Sequence, residues 1–229
     1  TTRRLASPTD MSVTGVPVRP RDAASLVLTR DGRHGVEVLM GRRRPKAAFI
    51  PDAYVFPGGR LEPGDRRAVP AAPLTAETAA RLGEAAMARA LAVAAVRETF
   101  EETGLLLGVA GDVGRVAGPS WAAMRALGMA PALNHLSYIG RAITPTDSPI
   151  RFHARFFLAQ ARHVAGKLAG SGELLDLRWV TLEQARRLPI IDVTEFMLEQ
   201  VGHLLGGGKP RGRAPLFSYR GNRPVVRYP

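Results

Sequence analysis

Ala94-Ala95-Val96-Arg97-Glu98-Thr99-Phe100-Glu101-Glu102-Thr103-Gly104-Leu105 is the stretch on which the fold turns. Apolar Leu91, Ala94, Ala95 and Val96 run into a cluster of carboxylates, and Gly104 stands where a helix ends in a residue of positive φ. At roughly 100° per residue, Glu98 and Glu102 lie about 40° apart around such a helix and Glu98 and Glu101 about 60° apart, so all three share one side. Like charges one turn apart repel, and the end of a helix favours cations. Arg97, four residues before Glu101, offsets part of this. A hard divalent cation such as Mg²⁺, which takes oxygen ligands, would reverse the sign of the whole arrangement.

A second stretch, Tyr54-Val55-Phe56-Pro57-Gly58-Gly59-Arg60-Leu61-Glu62-Pro63-Gly64-Asp65, reads as a short strand ending in a glycine turn whose backbone is open to a ligand. Gly59, Glu62, Asp65, Arg97, Glu98, Glu101, Glu102 and Gly104 together resemble the Nudix box, Gly-x5-Glu-x7-Arg-Glu-U-x-Glu-Glu-x-Gly-U, with U an apolar residue. The match runs Gly59-x5-Asp65 and then Arg97 to Leu105. It departs from the pattern in three places: Asp65 stands for Glu, Thr99 stands at an apolar position, and residues 66–96 fill a gap that the motif closes with seven. Phe49-Ile50-Pro51 ahead of Val55-Phe56-Pro57-Gly58-Gly59, with the long insert, is similar to a Nudix branch that includes the peroxisomal coenzyme A diphosphatases.

The resemblance implies an α/β fold, the Nudix α/β/α sandwich with a mixed β-sheet and, here, a helical insertion at about 66–93. Residues 1–22, polar and aperiodic, read as a loosely ordered arm, and 23–229 as a single domain. The implied activity is divalent-metal-dependent hydrolysis of the pyrophosphate bond of a nucleoside diphosphate linked to another moiety. Glu98, Glu101 and Glu102 would hold Mg²⁺ or Mn²⁺, with the Gly59 carbonyl a further ligand, and Arg97 would fix the carboxylates through ion pairs. Asp65 would brace the loop. The water-activating base is left open between Glu98, Glu102 and Glu173; Glu173, before a strand ending in Trp179-Val180, resembles the late acidic residue of many Nudix enzymes. Coenzyme A or an acyl derivative leads among substrates, with ADP-ribose- and NADH-type pyrophosphates as alternatives. A nucleotide- or RNA-binding Nudix domain without catalysis is the reading from another class, and the intact carboxylates argue against it.

The rest of the chain fills in this frame. Residues 23–29 and 36–40 read as a hairpin about Asp31-Gly32. Arg42 and Arg43 follow, and an arginine fork suits substrate phosphates. Thr75 caps a helix in the insert, which is expected to run to about Ala88 and to merge with the carboxylate helix. Ser120 reads as the cap of a helix through Gly128. Arg151–Ala159 alternates, with Phe152, Ala154, Phe156 and Leu158 on one side; Arg151, His153 and Arg155 opposite suggest an edge strand with a wet face or a wall facing phosphate. A strand over 172–180, the helix start at Thr181, an amphipathic helix over 194–205 and a C-terminal strand about Val225-Val226 complete the reading.

Composition bounds the partners. The 229 residues carry no cysteine, which removes disulfides and thiolate chemistry, and a net charge of +12. That charge suits an anionic small-molecule nucleotide derivative, while the 6% of aromatic residues disfavours nucleic acid as the partner. No run reaches the ~18 apolar residues of a membrane span, so a cytoplasmic location without membrane attachment is expected, with a homodimer left open.

Overall fold

A computed structural model describes residues 17–208, 213–221 and 223–228. The first 16 residues of the expected arm, and 209–212 of the glycine-rich segment, lie outside the described residues. The elements in chain order are β1 (Arg21–Gly32), β2 (Gly35–Arg43), β3 (Tyr54–Val55), β4 (Gly58–Arg60), α1 (Pro63–Arg67), α2 (Ala76–Leu82) and α3 (Ala85–Thr103). They continue with β5 (Leu106–Ala110), α4 (Pro119–Ala126), β6 (Met129–Pro131), β7 (Ser137–Ile143), β8 (Phe152–Gln160) and β9 (Val164–Ala165). The last are β10 (Leu174–Thr181), α5 (Leu182–Arg187), α6 (Asp192–Leu205), β11 (Leu216–Arg220) and β12 (Arg223–Arg227).

The main sheet runs β10-β2-β1-β8-β7-β11-β12, with β3 added to β2 and β4 to β1. It is mixed: β1 with β8 and β7 with β11 are parallel, the remaining pairs antiparallel. Alternation along each strand supplies two cores. Ala24, Leu26 and Leu28 of β1 face α3, whereas Val27, Val38, Met40 and Phe156 face α6 with its buried Phe196, Met197 and Val201. This is the expected α/β/α sandwich with a mixed sheet. Among the described residues, no helix is long and apolar enough to cross a membrane.

α3 ends on Gly104 at φ 73°, as the sequence predicts. Every residue from Ala90 to Thr99 is buried, so the helix has no solvent face over that span. A helix apolar all round must be covered all round. The sheet covers one side, and Ala68 and Leu82 of the insert, with Trp121 and Leu133 beyond it, cover the rest. Thr99, at a nominally apolar position, is accommodated because its hydroxyl donates to the Ala95 carbonyl one turn back (2.8 Å).

Several expectations need correcting. Gly58-Gly59 is a strand, β4, because β1 changes partners midway: Thr29–Gly32 pair with β2 and Ala23–Ser25 with β4. The first hairpin turns at Arg33-His34, two residues beyond Asp31-Gly32. The helix that Thr75 caps ends at Leu82, where Gly83 takes φ 71°; the last part of the insert, from Ala85, does merge with the carboxylate helix as the start of α3. α4 starts at Pro119 after Gly118, and Ser120 is the second helical residue, not the cap. β8 is an interior strand between β1 and β7, not an edge strand, and Arg151, His153 and Arg155 are not among the residues that line the cleft described below. Arg155 is only 2% exposed and pairs with Asp22 and Glu84, partners too distant in sequence for the alternation to reveal.

Candidate active site

The insert closes the box through one buried ion pair. Arg97 Nε donates to Asp65 Oδ1 (2.7 Å) and its terminal nitrogen to Oδ2 (3.1 Å), with side chains 3% and 0% exposed. Asp65 also accepts from the Glu62 amide (2.7 Å) in the capping box that starts α1. Arg89 donates to the carbonyls of Ala68 and Arg66 and so ties the beginning of the insert to α3. Burial pulls the Asp65 carboxyl up, and the Arg97 guanidinium and the Glu62 amide work against it. Arg97 is itself desolvated, yet Asp65, Glu98 and Glu101 together hold it above the usual arginine range.

The three glutamates do not share one environment. Arg97 reaches Glu98 Oε1 at 3.0 Å and Glu101 Oε2 at 3.0 Å. Ser120 donates to the other oxygen of Glu101, so that carboxylate is held by two partners away from the cleft. Glu102 Oε2 accepts from the Gly58 amide (2.8 Å). A Cβ built on Gly59 would stand 2.4–2.6 Å from the Glu98 carboxylate atoms, so any larger residue there would push that carboxylate out of its place.

Glu98 and Glu102 line a cleft of about 750 Å³ that also takes in Arg43 and Glu173. Burial, with Glu101 adding to it and Arg97 opposing it, pushes the Glu98 carboxyl up to about 7. Burial also pushes Glu102 up to about 8, with Glu98 and Glu173 adding to it and the Gly58 amide and Arg43 opposing it. Arg43 is pulled down by burial against the opposing fields of Glu102 and Glu173, and its buried Nε has no hydrogen-bond partner. Arg42, next along β2, points the other way and lies 3.6 Å from Asp52, outside the cleft lining. Alternation on a strand separates two residues that the sequence places together.

The structure therefore brings Gly59, Glu98, Glu102, Arg43 and Glu173 to one cleft, places Arg97 beneath them, and puts Glu101 behind Arg97 and Arg42 on the far face. Among the described residues no three acidic or histidine side chains converge into a ready-made cation site. Glu98 and Glu102 are nevertheless a suitable donor set for a hard dication: oxygen ligands, buried, and unfavourable as anions without a compensating charge.

Sequence reasoning missed the roof of the cleft. Phe49 and Ile50, from the loop between β2 and β3, line it, and Phe49 packs edge-on against Phe152 (5.1 Å between centroids). Ile50 has φ 48°, a conformation a β-branched side chain adopts at a cost of about 1–3 kcal/mol. Nothing in the residue types signals it.

An Arg-Glu-x-x-Glu-Glu helix seated on a two-glycine strand within an α/β/α sandwich sets the class as a Nudix-type pyrophosphohydrolase. No family model matches the chain, and no curated protein does either. Among solved structures, the Nudix hydrolase from Alicyclobacillus acidocaldarius is 34% identical, with 80% of this chain and 90% of that one covered and a TM-score of 0.62. The chain belongs to the Nudix hydrolase family. More distant likenesses include a C. elegans Ap4A hydrolase in a binary complex (16% identical, 82% of this chain and 98% of that one, TM-score 0.47). Another is the Nudix domain of Shewanella oneidensis NrtR complexed with ADP ribose (13% identical, 82% and 90%, TM-score 0.48).

Proposed function

We propose that the chain hydrolyses the pyrophosphate bond of a nucleoside diphosphate linked to a second group, with Mg²⁺ or Mn²⁺ held by Glu98 and Glu102. The observation that carries the reading is the seating of these two buried carboxylates against Gly58 and Gly59, at one end of a cleft that also holds Arg43. A bound dication would neutralise charge on the leaving phosphate and make a water nucleophilic. The residues of the chain do the remainder. Arg43, with its unpartnered Nε, offers donors to a phosphate oxygen. The Gly58 amide and Arg97 hold Glu102 and Glu98 in place. A carboxylate whose affinity for a proton lies near neutrality suits a general base, and Glu98, Glu102 and Glu173 all stand in the cleft for that role. Glu101 joins the cation set only by leaving Ser120, so its part is to steady Arg97 until then.

Coenzyme A or an acyl derivative leads among substrates, on the likeness of the interrupted box to that branch; ADP-ribose- and NADH-type compounds are the second reading. Incubation with a panel of these pyrophosphates and Mg²⁺ or Mn²⁺ should release monophosphates. Glu102→Gln should lower the rate at least about a hundredfold with the fold intact. Undiminished release by that variant removes the metal assignment, and no release from any pyrophosphate removes the hydrolase reading for these substrates.

A further inference from the structure

The third carboxylate of the cleft is carried differently from the other two. Glu98 and Glu102 stand on α3 and are held by Arg97 and the Gly58 amide. Glu173 stands at the end of the strap between β9 and β10, and residues 166–171 of that strap are exposed. Gly166 and Gly172, within it, take φ 97° and 87°. Two ties hang the strap on the C-terminus of α3: the Ala169 amide donates to the Thr103 carbonyl (2.9 Å) and the Ser171 amide to the Glu102 carbonyl (3.4 Å). The last carbonyls of a helix have no partner within it, so they are open to such donors. A third tie comes from the other side. Arg44, one residue past β2, donates from Nε to the Gly172 carbonyl, and Arg44 also lines the cleft. Gly172 is the residue before Glu173, so this bond sets the peptide from which the Glu173 side chain leaves. That side chain is itself exposed, and its place follows from its backbone.

We infer that Arg44 is a positioning residue of this site: by holding the Gly172 carbonyl it fixes the strap, and with it the place of the Glu173 carboxylate in the cleft. This role rests on the proposed function, in which Glu98 and Glu102 are engaged by the cation and Glu173 is left to take the proton from the attacking water. A base works only within hydrogen-bond reach of its water. A loosened strap therefore costs turnover and leaves substrate affinity alone. A guanidinium that instead paired with the substrate's phosphates would act through affinity.

The test is a double-mutant cycle read as kcat and KM on the whole chain, with coenzyme A and ADP-ribose as substrates and Mg²⁺ or Mn²⁺ present. Arg44→Ala should lower kcat about tenfold, the loss of one hydrogen bond from a charged donor, with KM within about twofold. Gly172→Ala brings a Cβ to 3.0 Å from Arg44 Nη2 at a φ that disfavours a side chain, and should lower kcat similarly while the guanidinium stays. Glu173→Gln should be about a hundredfold slower than the parent. In that background Arg44→Ala should change kcat less than about twofold, because the two residues act as one unit. A rise in KM at constant kcat, or an Arg44→Ala loss that persists in Glu173→Gln, overturns the inference. So does an undiminished kcat in Glu173→Gln or Gly172→Ala. Amide hydrogen exchange on the metal-free protein needs no turnover: the Ala169 amide should exchange about tenfold faster in Arg44→Ala, and unchanged exchange overturns the tie. If the unaltered protein cleaves neither pyrophosphate, the proposed hydrolysis of these substrates fails while the exchange result still decides the tie, so the two failures are distinguishable.

Discussion

Replacing Asp65 by alanine should cost the protein about 3–4 kcal/mol, and the figure follows from what surrounds that side chain. Asp65 is fully buried, accepts two hydrogen bonds from Arg97 and one from the Glu62 amide, and sits beside a guanidinium that is 3% exposed. Removing one partner of a buried pair leaves the other charge without its counterion and costs about 3–5 kcal/mol. Glu98 and Glu101 still pair with Arg97, which places the value in the lower part of that range. For a domain of this size each kcal/mol moves the melting temperature by about 2–4 °C, so the variant should melt roughly 6–16 °C below the parent. Urea unfolding at constant m-value, followed by circular dichroism, measures the free energy directly. The control is Arg187→Ala, which removes an ion pair with Glu183 on an exposed helix face and should change stability by less than about 0.5 kcal/mol. If Asp65→Ala loses less than about 1 kcal/mol, the claim that this pair holds the two halves of the box together is wrong.

Asp65→Glu restores the residue usual at this position of the box, yet the site is fully buried, and the added methylene should cost about 1–3 kcal/mol in the same unfolding assay. Gly59→Ala should leave the melting temperature within a few degrees while cutting turnover about a hundredfold, because the new methyl displaces the Glu98 carboxylate; unchanged turnover would contradict the packing described. Without metal, the folded protein holds protons on Glu98 up to about pH 7 and on Glu102 up to about pH 8, whereas the unfolded chain releases them near 4.3. The associated stability is full below about pH 4.3 and is lost as pH rises through those values. Metal-free protein should therefore weaken from pH 5 to pH 9, and Mg²⁺ should raise the melting temperature more at pH 8 than at pH 6, since it replaces protons. A metal effect independent of pH would refute this.

The parts of the fold that the sequence announces are those with local chemistry. α3 stops at Gly104 because glycine tolerates φ 73°, and α5 starts at Thr181 through a capping box with Gln184. Glu98, Glu102 and Arg97 were legible because a helix fixes their mutual angles. What stayed hidden depends on distant partners. β4 has no strand propensity and pairs only because β1 leaves β2 at its N-terminal half. The charged face of β8 looked wet because Asp22 and Glu84 lie 133 and 71 residues away from Arg155. Glu101 looked equivalent to its neighbours because nothing local reveals that Ser120, in another helix, takes one of its oxygens.

An interruption of the box by residues 66–96 is compatible with an intact site because the insert replaces solvent, not because it avoids the helix. The ten residues from Ala90 to Thr99 are buried on all sides, and a helix of alanine and valine in that state would expose apolar surface wherever cover was missing. Ala68 and Leu82 provide part of that cover, and Arg89 pins the insert by two carbonyls to the same helix. Closing a long excursion costs little more than closing a short one, since the entropy grows only with the logarithm of length. The ends are then held together by the Asp65–Arg97 pair, whose burial the insert itself completes. Shortening the insert to the seven residues of the uninterrupted motif would remove the cover along with the loop, and the carboxylate helix would lose the apolar contacts that Ala68 and Leu82 supply.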